Sequence, residues 1–98
     1  MTTSKRYERR GQTDITLAEL IERKLISHGE VIRLGFSDHY AEITEKGMIE
    51  WRGVVYKSPT AAAVAITQSS VNGWTRWRIN RDDEWVPLDR ARKEARGK

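Results

Sequence analysis

A chain of 98 residues with 33% charged and 38% hydrophobic side chains has the material for one small soluble domain. Its lack of cysteine excludes disulfides and thiolate zinc sites and fits a reducing cytoplasm, and no apolar run approaches the roughly 20 residues of a membrane-crossing helix. The net charge of +4 and the pI of about 9.7 point toward a polyanionic partner, yet the excess sits at the ends, because residues 13–79 balance eight bases against eight acids.

Residues 1–12 hold four basic groups, one acid and, apart from Met1, a single large hydrophobic side chain, Tyr7. They cannot bury enough apolar surface to offset chain entropy, so a flexible basic arm is expected, and they lack the apolar stretch of a secretory signal. Thr16 and Glu19 then have the spacing of a capping box. Leu17, Leu20, Ile21 and Leu25 recur at helical spacing, which predicts an amphipathic helix over roughly 17–26 that ends at Ser27-His28-Gly29.

Short strands follow over 31–35 and 39–44, with Ala41 and Ile43 facing inward and Tyr40, Glu42 and Thr44 alternating with them. Glu45-Lys46-Gly47 turns into a strand at 48–51, and the two-residue connection Arg52-Gly53 leads to another at 54–57. Ser58-Pro59 starts a second helix, with serine as N-cap and proline at the first position, running to about Gln68. Asn72-Gly73 reads as a tight turn with positive φ, and Trp74–Ile79 as a final strand. A charged break at 81–84 precedes Trp85-Val86-Pro87-Leu88, which can fold back, and a charged helix over 89–98.

The elements describe an α+β fold: one small domain of helix, antiparallel β-meander, second helix and final strand. The expected divisions are a flexible basic arm at 1–12, the domain at 13–80 with its ordered part at 14–79, and a charged C-terminal extension at 81–98.

Enzymatic chemistry has little to stand on. Ser37, Asp38 and His39 are triad letters, but neighbours on an extended segment point apart, whereas a triad needs convergent hydrogen bonds. His28 and His39 have no metal-ligand spacing around them, and the glycines stand singly at turns and not in a phosphate-binding motif. No catalytic residue, metal or cofactor is expected.

Binding has more. If 74–79 is a strand, Arg76 and Arg78 share one face as a phosphate-contacting edge while Trp77 fills the core on the other. Trp74 has two readings, a core anchor or an exposed stacking platform. Asn72 supplies either turn geometry or a base contact. Ser58, at a helix N-terminus, is better placed for a phosphate than Ser69 or Ser70 at a C-terminus, and Lys57 adds a cation beside it. The candidate DNA-binding set is therefore Lys57, Ser58, Asn72, Trp74, Arg76 and Arg78.

Taken together, Thr16-Leu17-x-x-Leu20-Ile21, the Gly47-x-Ile49 hairpin, Tyr56-x-Ser58-Pro59-x-Ala61-Ala62 and Val71-Asn72-Gly73-Trp74-x-x-Trp77 resemble the RAMA (restriction enzyme adenine methylase associated) domain over about residues 14–79. Ser58, Pro59, Asn72, Gly73, Trp74 and Trp77 match the family's motif. The resemblance implies a non-enzymatic module that recognises DNA as a duplex, including modified bases, in a restriction–modification setting. Methyltransferases, nucleases or other assembly proteins are the implied protein partners. The alternative is a protein-interaction or structural adaptor without direct DNA contact.

Overall fold

A computed structural model of the chain describes residues 14–97. In chain order these form α1 (Leu17–Glu22), β1 (Val31–Leu34), β2 (Tyr40–Ile43), β3 (Ile49–Trp51), β4 (Val54–Tyr56), α2 (Pro59–Thr67), α3 (Gly73–Arg76), β5 (Trp77–Arg81), β6 (Glu84–Pro87) and α4 (Asp89–Gly97). The strands make one antiparallel sheet in the order β4-β3-β2-β1-β5-β6. The fold is the expected α+β mixture. The basic arm expected at 1–12 lies outside the described residues. No helix among those described is long and apolar enough to cross a membrane.

The helix starts follow their capping chemistry. Thr16 Oγ1 accepts from the Glu19 amide at 3.2 Å, and Ser58 Oγ accepts from the Ala61 amide at 3.0 Å, each satisfying a donor that the first helical turn leaves orphaned. The first helix stops earlier than its periodicity predicts. Lys24 turns left-handed at φ 63°, which redirects the chain and delivers Ile26 to the core. The meander keeps its expected alternation, with Ile32 opposite Ala41 and Ile43 opposite Ile49. Arg52 and Gly53 both take positive φ, the geometry of a two-residue hairpin loop whose twist suits antiparallel strands.

All the fully buried strand side chains lie on one face. Ile32, Leu34, Ala41, Ile43, Ile49, Trp77, Ile79 and Val86 join Leu17, Leu20, Ala62, Ala63, Trp74, Ala91 and Ala95 from the helices in a single apolar cluster. The helices therefore cover that face, and alternation leaves the other without a layer of its own.

The C-terminal third departs from expectation. Asn72-Gly73 is not a positive-φ turn: Asn72 has φ −93° and caps α3, a short helical turn, through Oδ1 to the Trp74 amide at 2.9 Å. The final strand consequently begins at Trp77, three residues late. It is also not final, since β5 pairs with β6 through Asp82-Asp83, both left-handed at φ 54° and 69°. The expected boundary at residue 80 thus falls inside a hairpin, and α4 buries Ala91 and Ala95 in the same core. Two helix-terminal links secure α4: Arg23 Nη1 donates to the Ala95 carbonyl at 3.3 Å and Arg92 Nε to the Ile15 carbonyl at 2.8 Å.

Candidate nucleic-acid interface

The uncovered face of the sheet is divided by charge. Over β2 and β3 it carries Glu42 and Glu50, paired across the strands. Over β1, β5 and β6 it carries Arg33, Arg78, Asn80, Trp85 and Pro87, with Tyr40 opposite Arg33 and Arg33 opposite Arg78. Phe36, in the turn after β1, is 68% exposed, and Tyr40 is 47% exposed.

Two guanidinium groups bind this aromatic surface together. Arg33 Cζ lies 5.7 Å from the centroid of Phe36, 5.6 Å from Tyr40 and 5.7 Å from Trp85. Arg78 Cζ lies 4.5 Å from Phe36, and the Tyr40 and Trp85 rings approach at 6.2 Å. These distances are those of cation–π attraction to the ring faces. The arginines are aimed by backbone carbonyls. Arg33 donates through Nε to Ser37 O and through Nη2 to Phe36 O, and Arg78 Nη1 donates to Trp85 O. Arg78 Nε is buried without a hydrogen-bond partner among the described residues.

The sequence-based candidates divide between this face, the rim beside it and the interior. Arg78 is on the face. Arg76 is not its strand neighbour, as alternation implies, because it ends the helical turn α3; it is exposed there, and its carbonyl accepts from the Gly35 amide at 2.8 Å, next to Phe36. Asn72 is exposed but commits Oδ1 to its cap. Ser58 caps α2, whose Thr60 Oγ1 accepts from the Gly73 amide at 3.0 Å, so the α2 start and the α3 start are brought together. Lys57 is exposed immediately before that cap.

Trp74 is corrected outright. It is 8% exposed, and Arg92 Cζ sits 3.4 Å from its ring centroid, so it is a core anchor and offers no open platform. Sequence reasoning passed over Arg33, Phe36, Tyr40 and Trp85. The outward direction of Tyr40 was readable from alternation; the register that gathers it with β5 and β6 was not.

The triad letters form a turn. Ser37 Oγ donates to Leu34 O at 2.6 Å and accepts from the His39 amide at 3.1 Å, while the His39 ring meets Trp51 edge-on at 5.7 Å. The Ser37 hydroxyl is thus occupied by backbone groups and has no relay to the imidazole.

The family model for Restriction Enzyme Adenine Methylase Associated (RAMA) matches residues 1–98. The chain belongs to the RAMA family. None of the curated proteins matches it. The family is named for its association with restriction and adenine-methylating enzymes and not for a reaction of its own.

The RAMA motif residues have a structural logic here. Trp77 is fully buried, and its Nε1–H donates to the Pro59 carbonyl at 2.9 Å, which satisfies a donor that would otherwise be costly inside the core. Gly73 packs directly on that same Pro59 carbonyl, and a Cβ there would overlap its carbon and oxygen. Its backbone φ is not left-handed, so close approach, and not turn geometry, requires the glycine. Ser58-Pro59 and Asn72-Gly73-Trp74-x-x-Trp77 therefore lock α2, α3 and β5 together, and the lock carries Arg76 and Arg78 to the rim and outer face.

Proposed function

We propose that this RAMA chain is a non-enzymatic, cytoplasmic DNA-binding module, reading duplex DNA and its modified bases in a restriction–modification setting. The observation that carries this reading is the guanidinium–aromatic band in which Arg33 and Arg78 both lie against exposed Phe36, with the Arg76 carbonyl bonded to the Gly35 amide next to it. Arg76, Arg78 and Lys57 supply phosphate contacts, and Ser58 and Asn72 lie along the same α2–α3 junction as polar contacts at its margin. The fixed carbonyl partners of Arg33 and Arg78 reduce the side-chain entropy lost on binding. The proposed protein partners are a methyltransferase, a nuclease or another member of the same assembly.

Magnitudes limit what such a module does alone. Burying one added methyl is worth about 0.8 kcal/mol, roughly fourfold in affinity, so discrimination of a modified base requires a pocket that penalises the unmodified one. Neutralising about four phosphates gives a log–log salt slope of about −3.6. Weak, salt-sensitive binding is expected from the isolated chain, with useful avidity inside an assembly.

Titration of modified and unmodified duplexes at two salt concentrations tests the reading. Binding at low salt that falls steeply with salt, and that drops at least tenfold in Arg76→Glu, supports it; no binding to either duplex at low salt sinks it. A second reading, the protein-interaction adaptor, is favoured by the edge strand β4. Val54 and Val55 are both half-exposed there, between Arg52 and Lys57, and an unprotected edge can accept a strand from another protein. Binding to a purified methyltransferase partner that survives Arg76→Glu but is lost in Val55→Pro would select it.

A further inference from the structure

The outer face of the sheet contains more than phosphate binding needs. Arginines and lysines alone suffice to neutralise a duplex backbone, whereas an aromatic ring contributes by stacking on a base face that is not already stacked in a helix. Phe36 is among the largest exposed apolar side chains of the described residues, yet its turn does not leave it loose: Arg33 and Arg78 both lie against its ring. Tyr40 and Trp85 continue the surface, reaching each other across the two intervening strands β1 and β5. The face is open, the helices being on the opposite side of the sheet.

Charge on the same face gives the platform a direction. Glu42 and Glu50 repel a polyanion from the part of β2 and β3 that they occupy, while Arg33 and Arg78 attract it to the part of the face that holds the rings, Tyr40 at the start of β2 included. Arg33 uses Nε and Nη2 on its own turn, and no bond from its Nη1 occurs among the described residues. Arg78 likewise spends Nη1 on Trp85 O and keeps Nη2. Each ring therefore has a cation with donor capacity next to it, which is the arrangement that holds a splayed base and the phosphate beside it.

We propose that the open sheet face over β2, β1, β5 and β6 is a stacking platform for unpaired bases of DNA, with Phe36 and Tyr40 carrying the bases and Arg33 and Arg78 the adjacent phosphates. This rests on the DNA-binding reading and narrows its substrate to DNA that presents unstacked bases. An intact duplex meets the same cations but leaves the rings unused, so it binds less tightly.

The test is a set of anisotropy titrations of the full chain at one low salt concentration with three labelled probes: an intact duplex, the same duplex carrying a two-base bulge, and oligothymidylate. The bulged and single-stranded probes are expected to bind at least tenfold tighter than the intact duplex. Phe36→Ala should remove most of that tenfold preference, and Phe36→Tyr should retain it; circular dichroism confirms that each variant is folded. Tyr40→Ala should lower the preference by a smaller factor in the same direction. Equal binding of all three probes, or a preference that Phe36→Ala leaves intact, overturns the platform and leaves the DNA-binding reading standing. Failure of every probe to bind removes that reading, and the platform with it.

Discussion

The molecule uses an arginine against an aromatic ring in two places, with opposite results. On the helical side Arg92 lies 3.4 Å from the Trp74 centroid, with only 14% of its own side chain exposed, Nε on the Ile15 carbonyl and Nη1 3.4 Å from Asp14. On the sheet's outer face Arg78 lies 4.5 Å from Phe36, a ring that is mostly in solvent. Burial lowers the Arg92 pKa from its ordinary value, while Asp14 and Asp89 oppose that shift. The guanidinium stays charged and is paired with Asp14, and the result is a rivet holding α4 over α3 and the start of α1. The outer pair has no such enclosure, and Phe36 is 68% exposed beside its two arginines. Residue type does not separate the two pairs; what surrounds each ring does.

If that division is right, substitutions on the helical side act on stability first. Trp77→Ala should have the largest effect, about 3–5 kcal/mol, from the cavity left by a fully buried indole and the loss of its bond to Pro59 O. In a domain whose total stability is about 5–15 kcal/mol, urea or thermal denaturation should show a chain at the edge of folding. Arg92→Met keeps much of the side-chain stem but loses the cation, its contact with Trp74 and its bond to Ile15 O. It should cost about 2 kcal/mol in the same measurement, with any DNA-binding defect no larger than the unfolded fraction explains. A wild-type melting temperature in Arg92→Met would make that pair as dispensable to the fold as the outer one, and the contrast would collapse.

Much of the fold was legible because it is written in short-range chemistry. The Thr16 and Ser58 caps, the proline at the start of α2, the meander alternation and the Arg52-Gly53 loop each depend on neighbours within a few residues. Asn72-Gly73 misled because asparagine serves equally as a turn residue and as an N-cap. What decides between them is Pro59, thirteen and fourteen residues away in sequence and in contact with Gly73. The same error moved the strand start from Trp77 to Trp74 and so placed Arg76 and Arg78 on one face. Asp82-Asp83 turned β5 into β6 without a glycine, so the hairpin resembled a charged break. The outer band was the least visible feature. The β1–β2 turn gathers Arg33, Phe36 and Tyr40 locally, but Arg78 and Trp85 join them only through the β1-β5-β6 order, which no local pattern fixes.

The smallest expected stability effect is the sharpest check on the comparison. Phe36→Ala removes a large aromatic side chain, which in a core costs about 3–5 kcal/mol. Here most of the ring already contacts water, so little apolar area returns to solvent, and the contacts with Arg33 and Arg78 are of the exposed kind, worth about 0.5–1 kcal/mol. The melting temperature should fall by only about 3–6 °C on the scale expected for a domain of this size. A loss of more than about 2 kcal/mol would mean that the ring, like Trp74, serves the fold, since an exposed cation–π pair cannot supply that much. A loss within the smaller range, in a variant that binds unpaired DNA worse, leaves an aromatic side chain whose exposure the fold does not need and binding does.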